Sequence, residues 1–393
     1  MSEMLDCLMK YKTEHLFLLI GRNPLPNFVA AKLLGRKTDN SGNPIKTSLY
    51  LLHSEDDKRR GLSGTKSYAD NLKKVLGEEE YVYNYVPVEP SRPDTVTDGI
   101  SKYLPVIPND QLVGLHYTGG TKAMAVHAYN TFNCSKRKVT YSYLDPRSLA
   151  LNIDADNPGG ESTSFPLALT ERPEEKLLFD AATISLNELL ALHNLEKLQR
   201  RTENPLSIIT RPADVEAMSK DVEGHINGGS LSATLLEEFV LSQVLELKRE
   251  CSLHDCGYNL EIALPKNIAN NGQFFEIDVV AMRGYRLFAI SCTLDVDPDL
   301  ELNPKPPGYK ARTGANKCKQ KLFEIKARAE QLGGEEARVA LVCPMGKPGQ
   351  PNGVENLRRL MEQLKGDNIR VFGYDDLADL KIQLQDWFIR GVV

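Results

Sequence analysis

The sequence predicts an α/β protein, with a Rossmann-like N-terminal unit followed by a second α/β unit of different strand order. Three observations carry this. Strand-like apolar runs alternate with helical periodicity over the first 150 residues, a Gly/Pro-rich polar stretch then interrupts the pattern, and an α-β-β-β-α-β order follows from about Ser230. Strands alternating with helices in this way imply a mostly parallel sheet with helices on both faces.

In chain order, His15 to Ile20 (HLFLLI) reads as a buried strand, leading through a Gly/Pro-rich turn into the helical run NFVAAKLLG. Ser48 to His53 is a second strand, and Ser67 to Leu76 an amphipathic helix. Tyr81 to Val88 alternates as a third strand, with a helix near Thr95 to Tyr103. Leu112 to Tyr117 is a fourth strand, passing through TGGT into the helix KAMAVHAYNTF. Strands at Lys138–Tyr143 and Ala150–Ile153 complete the unit. Asp154 to Pro173 shifts to Gly, Pro and polar residues, which marks a boundary. Beyond it, Ser185 to Leu198 reads as a short helix whose Ser185 and Glu188 have the spacing of a capping box. From Ser230 come a helix (LSATLLEEFVLSQVLELKRE), strands at Asn259–Leu264, Phe274–Met282 and Leu287–Thr293, and a basic helix. A strand at Arg338–Cys343, a helix at Asn352–Lys365 and a strand at Asn368–Phe372 follow. The expected division is 1–157, a connecting or small helical segment at 158–225, and 226–393.

Composition sets bounds. The chain has 393 residues, 48 Lys+Arg against 53 Asp+Glu, and 41% hydrophobic residues, proportions that exclude disorder, collagen-like repeats and coiled-coil arrays. No apolar run reaches the roughly 18 residues of a membrane span, and no signal peptide is read at the N-terminus, so a cytoplasmic protein is expected. The seven cysteines are scattered without a CxxC pair, which argues for reduced thiols rather than a disulfide scaffold. Cys251, His254 and Cys256 lack a fourth ligand at zinc-site spacing and read as turn residues.

In the first unit, LHYTGGTKAM (Leu115 to Met124) ends a strand, turns on Gly119 and Gly120, and opens a helix near Thr121. Backbone N–H groups at such a helix start favour an anion, with Thr118, Thr121 and Lys122 adding hydroxyls and a charge. The loop is neither a Walker A nor a GxGxxG fingerprint, so ATP hydrolysis and NAD binding are not supported. GRNPLPN (Gly21 to Asn27) leaves the end of the first strand, with Asn23 able to donate and accept, and Pro24 and Pro26 stiffening the loop around Leu25. Ligands of open α/β sheets bind at the carboxyl ends of strands, which puts both loops on one edge, with Ser54 nearby. His116 and His127 have no carboxylate partner in the pattern and read as packing or pocket residues.

Together, GRNPLPN and YTGGTKAM resemble the CRISPR-associated Rossmann fold (CARF), the sensor domain of type III CRISPR accessory proteins. The resemblance covers roughly the first 150 residues. It implies a homodimer whose two-fold groove holds a cyclic oligoadenylate, most often cyclic tetra-adenylate. A two-fold symmetric ring suits an isologous dimer. Ligand contacts are implied at Gly21, Asn23, Pro24, Leu25, Ser54, Thr118, Gly119, Gly120, Thr121 and Lys122.

In the second unit, the strand FFEIDVV places Glu276 and Asp278 on one face, with Phe275, Ile277 and Val279 on the other. Upstream the helix carries Glu237 and Glu238; downstream LFAISCT carries Ser291, Cys292 and Thr293. This order resembles the PD-(D/E)XK, restriction-endonuclease-like nuclease core over residues 226–393. The resemblance implies that Glu237 and Asp278 hold Mg²⁺ or Mn²⁺ while a lysine steadies the attacking water or the phosphate charge. Ser291-Cys292-Thr293 stands where the family has ExK, so the strand acid and the lysine are both replaced. The Cys292 carbonyl is then expected to complete the metal shell, with Ser291 beside it. Between Lys305 and Arg328 lie eight basic residues and one acid, Glu324. Lys319 or Lys321 from this run supplies the migrated lysine, and the remaining cations meet phosphates. The plain reading of the run is a solvated helix face. Asp295, Asp297 and Asp299 offer further oxygens, and Glu276 is either a helper or a solvent-facing residue.

The expectation is therefore a cyclic-oligoadenylate-activated, metal-dependent endonuclease cutting single-stranded RNA or DNA, or nicking DNA. The rival expectation is a sensor or nucleic-acid-binding protein whose nuclease core has decayed.

Overall fold

The computed structural model describes residues 3–36, 38, 42–57, 61–145, 147–154, 162–167, 173–198, 233–263, 274–293, 317–343, 352–363 and 368–390. The chain divides into two compact units, Met1–Leu195 and Glu196–Val393.

The first unit is built on strands β1 (His15–Leu19), β2 (Thr47–His53), β3 (Tyr81–Pro87), β4 (Val113–His116), β5 (Val139–Asp145), β6 (Ala150–Ile153) and β7 (Thr163–Pro166). They form one sheet in the order β3-β2-β1-β4-β5-β6-β7. β3 through β5 pair in parallel, and β6 and β7 add antiparallel strands at one side. The parallel strands are continuous apolar runs because both faces are covered: Leu16, Phe17, Leu18 and Leu19 of β1 are fully buried. The covering helices are α1 (Glu3–Met9), α2 (Leu25–Leu34), α3 (Lys66–Leu76), α4 (Pro93–Ser101), α5 (Lys122–Cys134), α6 (Pro173–Ala182) and α7 (Leu186–Leu192).

This unit extends past the expected boundary at 157. β7 pairs with β6, and the Asn71 side chain of α3 donates to the Leu192 carbonyl of α7 at 3.0 Å. The polar stretch 154–173 thus contains the edge strand β7 of this unit. The Ser185–Glu188 capping box forms in both directions, but its helix stops at Leu192, and Glu196–Leu198 becomes strand β8 instead. The expected connecting residues 199–225 lie outside the described residues.

The second unit has a six-stranded sheet in the order β13-β12-β11-β10-β9-β8. β9 is Asp255–Ala263, β10 Phe274–Arg283, β11 Arg286–Cys292, β12 Arg338–Val342 and β13 Ile369–Phe372. β8, β9, β10 and β11 run antiparallel to their neighbours, and β11, β12 and β13 are parallel. Helices α8 (Ala233–Glu246), α9 (Lys317–Gly333), α10 (Asn352–Gln363) and α11 (Leu380–Arg390) complete it. α11 was not anticipated. Trp387 and Phe388 stand with Phe288 at centroid distances of 5.1 and 5.0 Å, in the core that also takes Leu236, Phe239 and Val240 of α8. No described helix is long and apolar enough to cross a membrane.

Candidate functional site

β1 and β4 are neighbours in the middle of the first sheet, and connections leave their carboxyl ends in opposite directions along it. The loops after them interlock without side chains. A Cβ on Gly119 would stand 2.0 Å from the Leu19 carbonyl oxygen, and one on Gly21 3.0 Å from the Gly120 nitrogen. Gly120 also needs a left-handed backbone, with φ +71°. These three glycines allow the two strand ends to touch, so the loops share one edge, as the sequence pattern required.

Other motif residues hold this arrangement in place. Asn23 accepts from the Leu25 N–H at 3.1 Å and starts α2, and Leu25 itself is fully buried. Asn27, also fully buried, donates to the Leu19 carbonyl at 3.1 Å. Thr118 Oγ1 accepts from the Leu144 N–H at 2.6 Å, tying the loop to β5. Thr121 caps α5 by accepting from Met124 N–H at 3.2 Å. Ser54 and Thr65 exchange bonds across a turn, the Ser54 N–H donating to Thr65 Oγ1 at 3.0 Å and the Thr65 N–H to Ser54 Oγ at 3.1 Å.

A cleft of about 960 Å³ opens at the carboxyl ends of these strands. Gly21, Ser54, Gly120 and Thr121 line it; Asn23, Pro24, Leu25, Thr118, Gly119 and Lys122 do not. Of the second set, Asn23, Leu25, Thr118 and Gly119 hold the loops that carry the first. Glu55, at the end of β2 beside Ser54, lines the cleft too, as do Arg22, the one cation among the described lining residues, and the carboxylates Asp56, Asp57 and Glu89, which no sequence motif singled out. The helix start and Arg22 suit an anionic group, whereas the carboxylates suit amino or hydroxyl donors. His116 is fully buried with Nδ1 3.1 Å from Ser142 Oγ. Burial lowers its proton affinity to about 3, so it stays neutral and has no acid–base role.

In the second unit the chemistry collects where β11 ends. Asp278, 7% exposed, directly precedes Val279, whose pairing with Ile290 ends the β10–β11 ladder. Its Oδ2 accepts from the Ser291 hydroxyl at 3.0 Å and from the Cys292 N–H at 2.5 Å. Both donors fall on one oxygen. Lys321 of α9 donates from Nζ to the Cys292 carbonyl at 3.0 Å. Glu237 of α8 belongs to the same electrostatic neighbourhood. Burial pushes its carboxyl up to about 7, the charges of Asp278 and Glu276 add to this, and Lys321 opposes it. The Cys292 thiol is pushed well up by burial, then by Asp278 and Glu237, and it packs in the apolar core. Its carbonyl, not its sulfur, is therefore the group available to a ligand, and one acceptor position there is taken by Lys321.

Thus Glu237, Asp278, Ser291, Cys292 and Lys321 come together, from two helices and two strands. Lys319 does not make the bond that Lys321 makes. Further along α9, Lys326 is paired with Glu330 and Arg328 stacks 4.7 Å from the Phe275 ring, so these cations are partly committed within the fold. Asp295, Asp297, Asp299, Lys305, Lys310 and Arg312 lie outside the described residues. Among the described residues no group of three His, Cys, Asp or Glu is arranged to hold a metal ion. All seven cysteines are free thiols, and Cys251 is a core residue whose carbonyl accepts from Arg283 at 3.0 Å.

No protein-family model matches the chain, and no curated protein matches it. Solved structures do. Protein VC1899 from Vibrio cholerae superposes with a TM-score of 0.59 and 14% identity over 95% of this chain and 98% of that one. Can2 from Sulfobacillus thermosulfidooxidans, solved in complex with cyclic tetra-adenylate, gives 0.62 and 15% over 95% and 99%. At these identities the likeness is one of fold, and it extends over both units.

Proposed function

We propose that this chain is a cyclic-oligoadenylate-activated, metal-dependent nuclease of type III CRISPR antiviral defence, working as a homodimer on single-stranded RNA or DNA, or nicking DNA. The observation that carries the reading is the convergence of Glu237, Asp278 and Lys321 on the end of β11. Two further points support it. The cleft lies at the edge of the first sheet where the strand order turns outward, which is the ligand edge of open α/β sheets. The Can2 structure, of the same fold, holds cyclic tetra-adenylate.

The residues fit a divalent cation by chemistry. Asp278 accepts from Ser291 and Cys292 on Oδ2 alone, which leaves Oδ1 as a carboxylate oxygen for a further partner. Glu237 is a carboxyl that a nearby cation would ionise. Mg²⁺ usually keeps several waters and takes one or two carboxylates, so a closed three-ligand cage is not required. Glu237 and Asp278 would hold Mg²⁺ or Mn²⁺, with the Cys292 carbonyl adjacent. When bound, the ion supplies a water nucleophile and charge neutralisation at the phosphate. Ser291 and the Cys292 N–H fix the Asp278 carboxylate. Lys321, anchored on the Cys292 carbonyl, sets a positive charge beside the phosphate oxygens where negative charge develops. In the overall reaction one water adds to phosphorus, one P–O bond breaks, and the leaving oxygen takes a proton. Ligand in the first unit acts by favouring the state in which the nuclease units are competent.

A second reading has its own support. The strand acid and lysine of the nuclease pattern are Ser291 and Thr293, so the protein could bind its activator without cutting. Purified protein incubated with plasmid and with RNA, in Mn²⁺, with and without cyclic tetra-adenylate, separates the two. Cleavage that needs the activator and is lost in Asp278→Ala supports the nuclease. Absence of cleavage in every condition, or cleavage indifferent to Asp278→Ala, leaves the sensor.

A further inference from the structure

The cleft of the first unit combines an anion-suited half with carboxylates that would repel a polyanion, and one of those carboxylates is placed to read its ligand. β1 and β2 are parallel neighbours, so the loops leaving their carboxyl ends start about 4.8 Å apart. After β1 come Gly21 and Arg22, beside Gly120 and Thr121 at the start of α5. This half suits a phosphate. After β2 come Ser54 and Glu55, which line the same cleft.

Glu55 is positioned without being consumed. Its Oε1 stands 3.8 Å from His53 Nδ1 and 3.9 Å from Lys66 Nζ, beyond hydrogen-bond reach, and its side chain is 55% exposed. His53 is 1% exposed and meets the Tyr85 ring edge-on at 5.7 Å. Burial lowers its proton affinity, so it is a fixed and neutral neighbour at pH 7. Asp56 accepts from the Gly64 N–H at 2.8 Å, and Glu89 from the Ser91 hydroxyl at 3.3 Å. The Glu55 carboxylate accepts no hydrogen bond from a described residue.

A carboxylate beside a bound phosphate is repelled by it and attracts hydrogen-bond donors. A cyclic oligoadenylate offers two kinds, the 2′-hydroxyl of each ribose and the amino group of each adenine. The ribose is bonded directly to the phosphate, and the base lies one group further out. One strand spacing from the phosphate half, Glu55 therefore meets the sugar. Nucleotide sites of open α/β sheets divide the labour in this way, with phosphate at the turn after the first strand and an acid beyond the second on a ribose hydroxyl.

We propose that Glu55 is the residue by which this chain distinguishes ribose from deoxyribose in its activator, accepting a 2′-hydroxyl while Arg22 and the start of α5 hold the adjoining phosphate. The inference rests on the cyclic-oligoadenylate reading above and is independent of whether the second unit cuts.

Calorimetric titration of the full-length protein with cyclic tetra-adenylate and with its all-2′-deoxy counterpart tests it. Wild type should bind the ribose ring at least tenfold more tightly, the scale of one hydrogen bond to a charged group. Glu55→Ala should bind the two rings within about twofold of each other, because hydroxyl and carboxylate form one coupled interaction. It should hold the deoxy ring no more weakly than wild type does, since a negative charge has left a polyanion site. Its melting temperature should match wild type, because the side chain is half-exposed. Wild type that binds both rings alike, or Glu55→Ala that keeps the wild-type ratio, overturns the proposal and leaves the sensor reading standing. Equal loss of both rings in Glu55→Ala would assign Glu55 to the shape of the cleft and overturn it as well. Wild type that binds neither ring removes the sensor reading, and this inference with it.

Discussion

Asp278 anchors two donors, so its replacement has two separable consequences. In Asp278→Ala the buried Cys292 N–H and the Ser291 hydroxyl lose their acceptor, at ~1–3 kcal/mol each for an unsatisfied buried group. Melting temperature should fall by several degrees and cleavage should vanish. Asp278→Asn keeps an oxygen acceptor, so it should melt closer to wild type in calorimetry while losing cleavage equally. Lys321→Met should lower the cleavage rate ~10²-fold or more, the scale of losing one preorganised electrostatic donor, in a single-turnover assay. Glu237 gives a pH signature. Its carboxyl titrates near 7 in the fold against 4.5 in an unfolded chain. Protonated in the fold and ionised in the unfolded chain between those values, it favours the fold at low pH. Metal-free wild type should lose stability relative to Glu237→Gln as pH rises from about 4.5 to about 7, with no further change above. A difference that grows in the opposite direction, or none, in urea melts across that window would contradict this.

Elements decide which of these residues meet. The loop after β4 packs onto the end of β1 only because residue 119 has no side chain: Gly119→Ala puts a carbon 2.0 Å from a backbone oxygen, a clash that backbone must move to relieve. Its cost should exceed ~2 kcal/mol, read as a lower melting temperature, with loss of activator binding in the same variant. α9 shows the reverse, an element whose charges differ in role along its length. Lys321 reaches Cys292, whereas Lys326 pairs with Glu330 one turn on, a half-buried i,i+4 pair of a kind that stabilises a helix by only ~0.2–0.5 kcal/mol. Lys326→Ala should therefore leave cleavage within about twofold at fixed salt, in the same assay that registers Lys321→Met.

At the scale of the whole molecule, the proposed function joins a cleft in the first unit to a carboxylate site in the second. Binding to the folded chain alone stabilises it by ~2.7 kcal/mol at a hundredfold excess over Kd. Cyclic tetra-adenylate should accordingly raise the melting transition of the wild type, and rings of other sizes tested alongside will rank by the shift. Sedimentation should give a dimer, whose two-fold axis matches a symmetric ring. A monomer at all concentrations, with or without the ring, would remove the basis for a shared groove.

The sequence by itself determined the order and type of most elements. Continuous apolar runs such as HLFLLI and LFAISC leave no alternative to buried strands, and TGGT between a strand and a helix permits one geometry. Period-two alternation in FFEIDVV set Glu276 and Asp278 apart, while Glu237 and the lysines at 319 and 321 were singled out through the resemblance to the PD-(D/E)XK core. What the sequence could not settle were matters of partnership. β7 and α11 are short or weakly patterned, and only contact with β6 and with Phe288 makes them part of the fold. Lys321 rather than Lys319 reaches Cys292 because helix rotation, not composition, aims the side chain. Register is fixed by packing between strands distant in sequence. That is why only the tertiary structure brought Asp278 to the Ser291 hydroxyl and the Cys292 N–H.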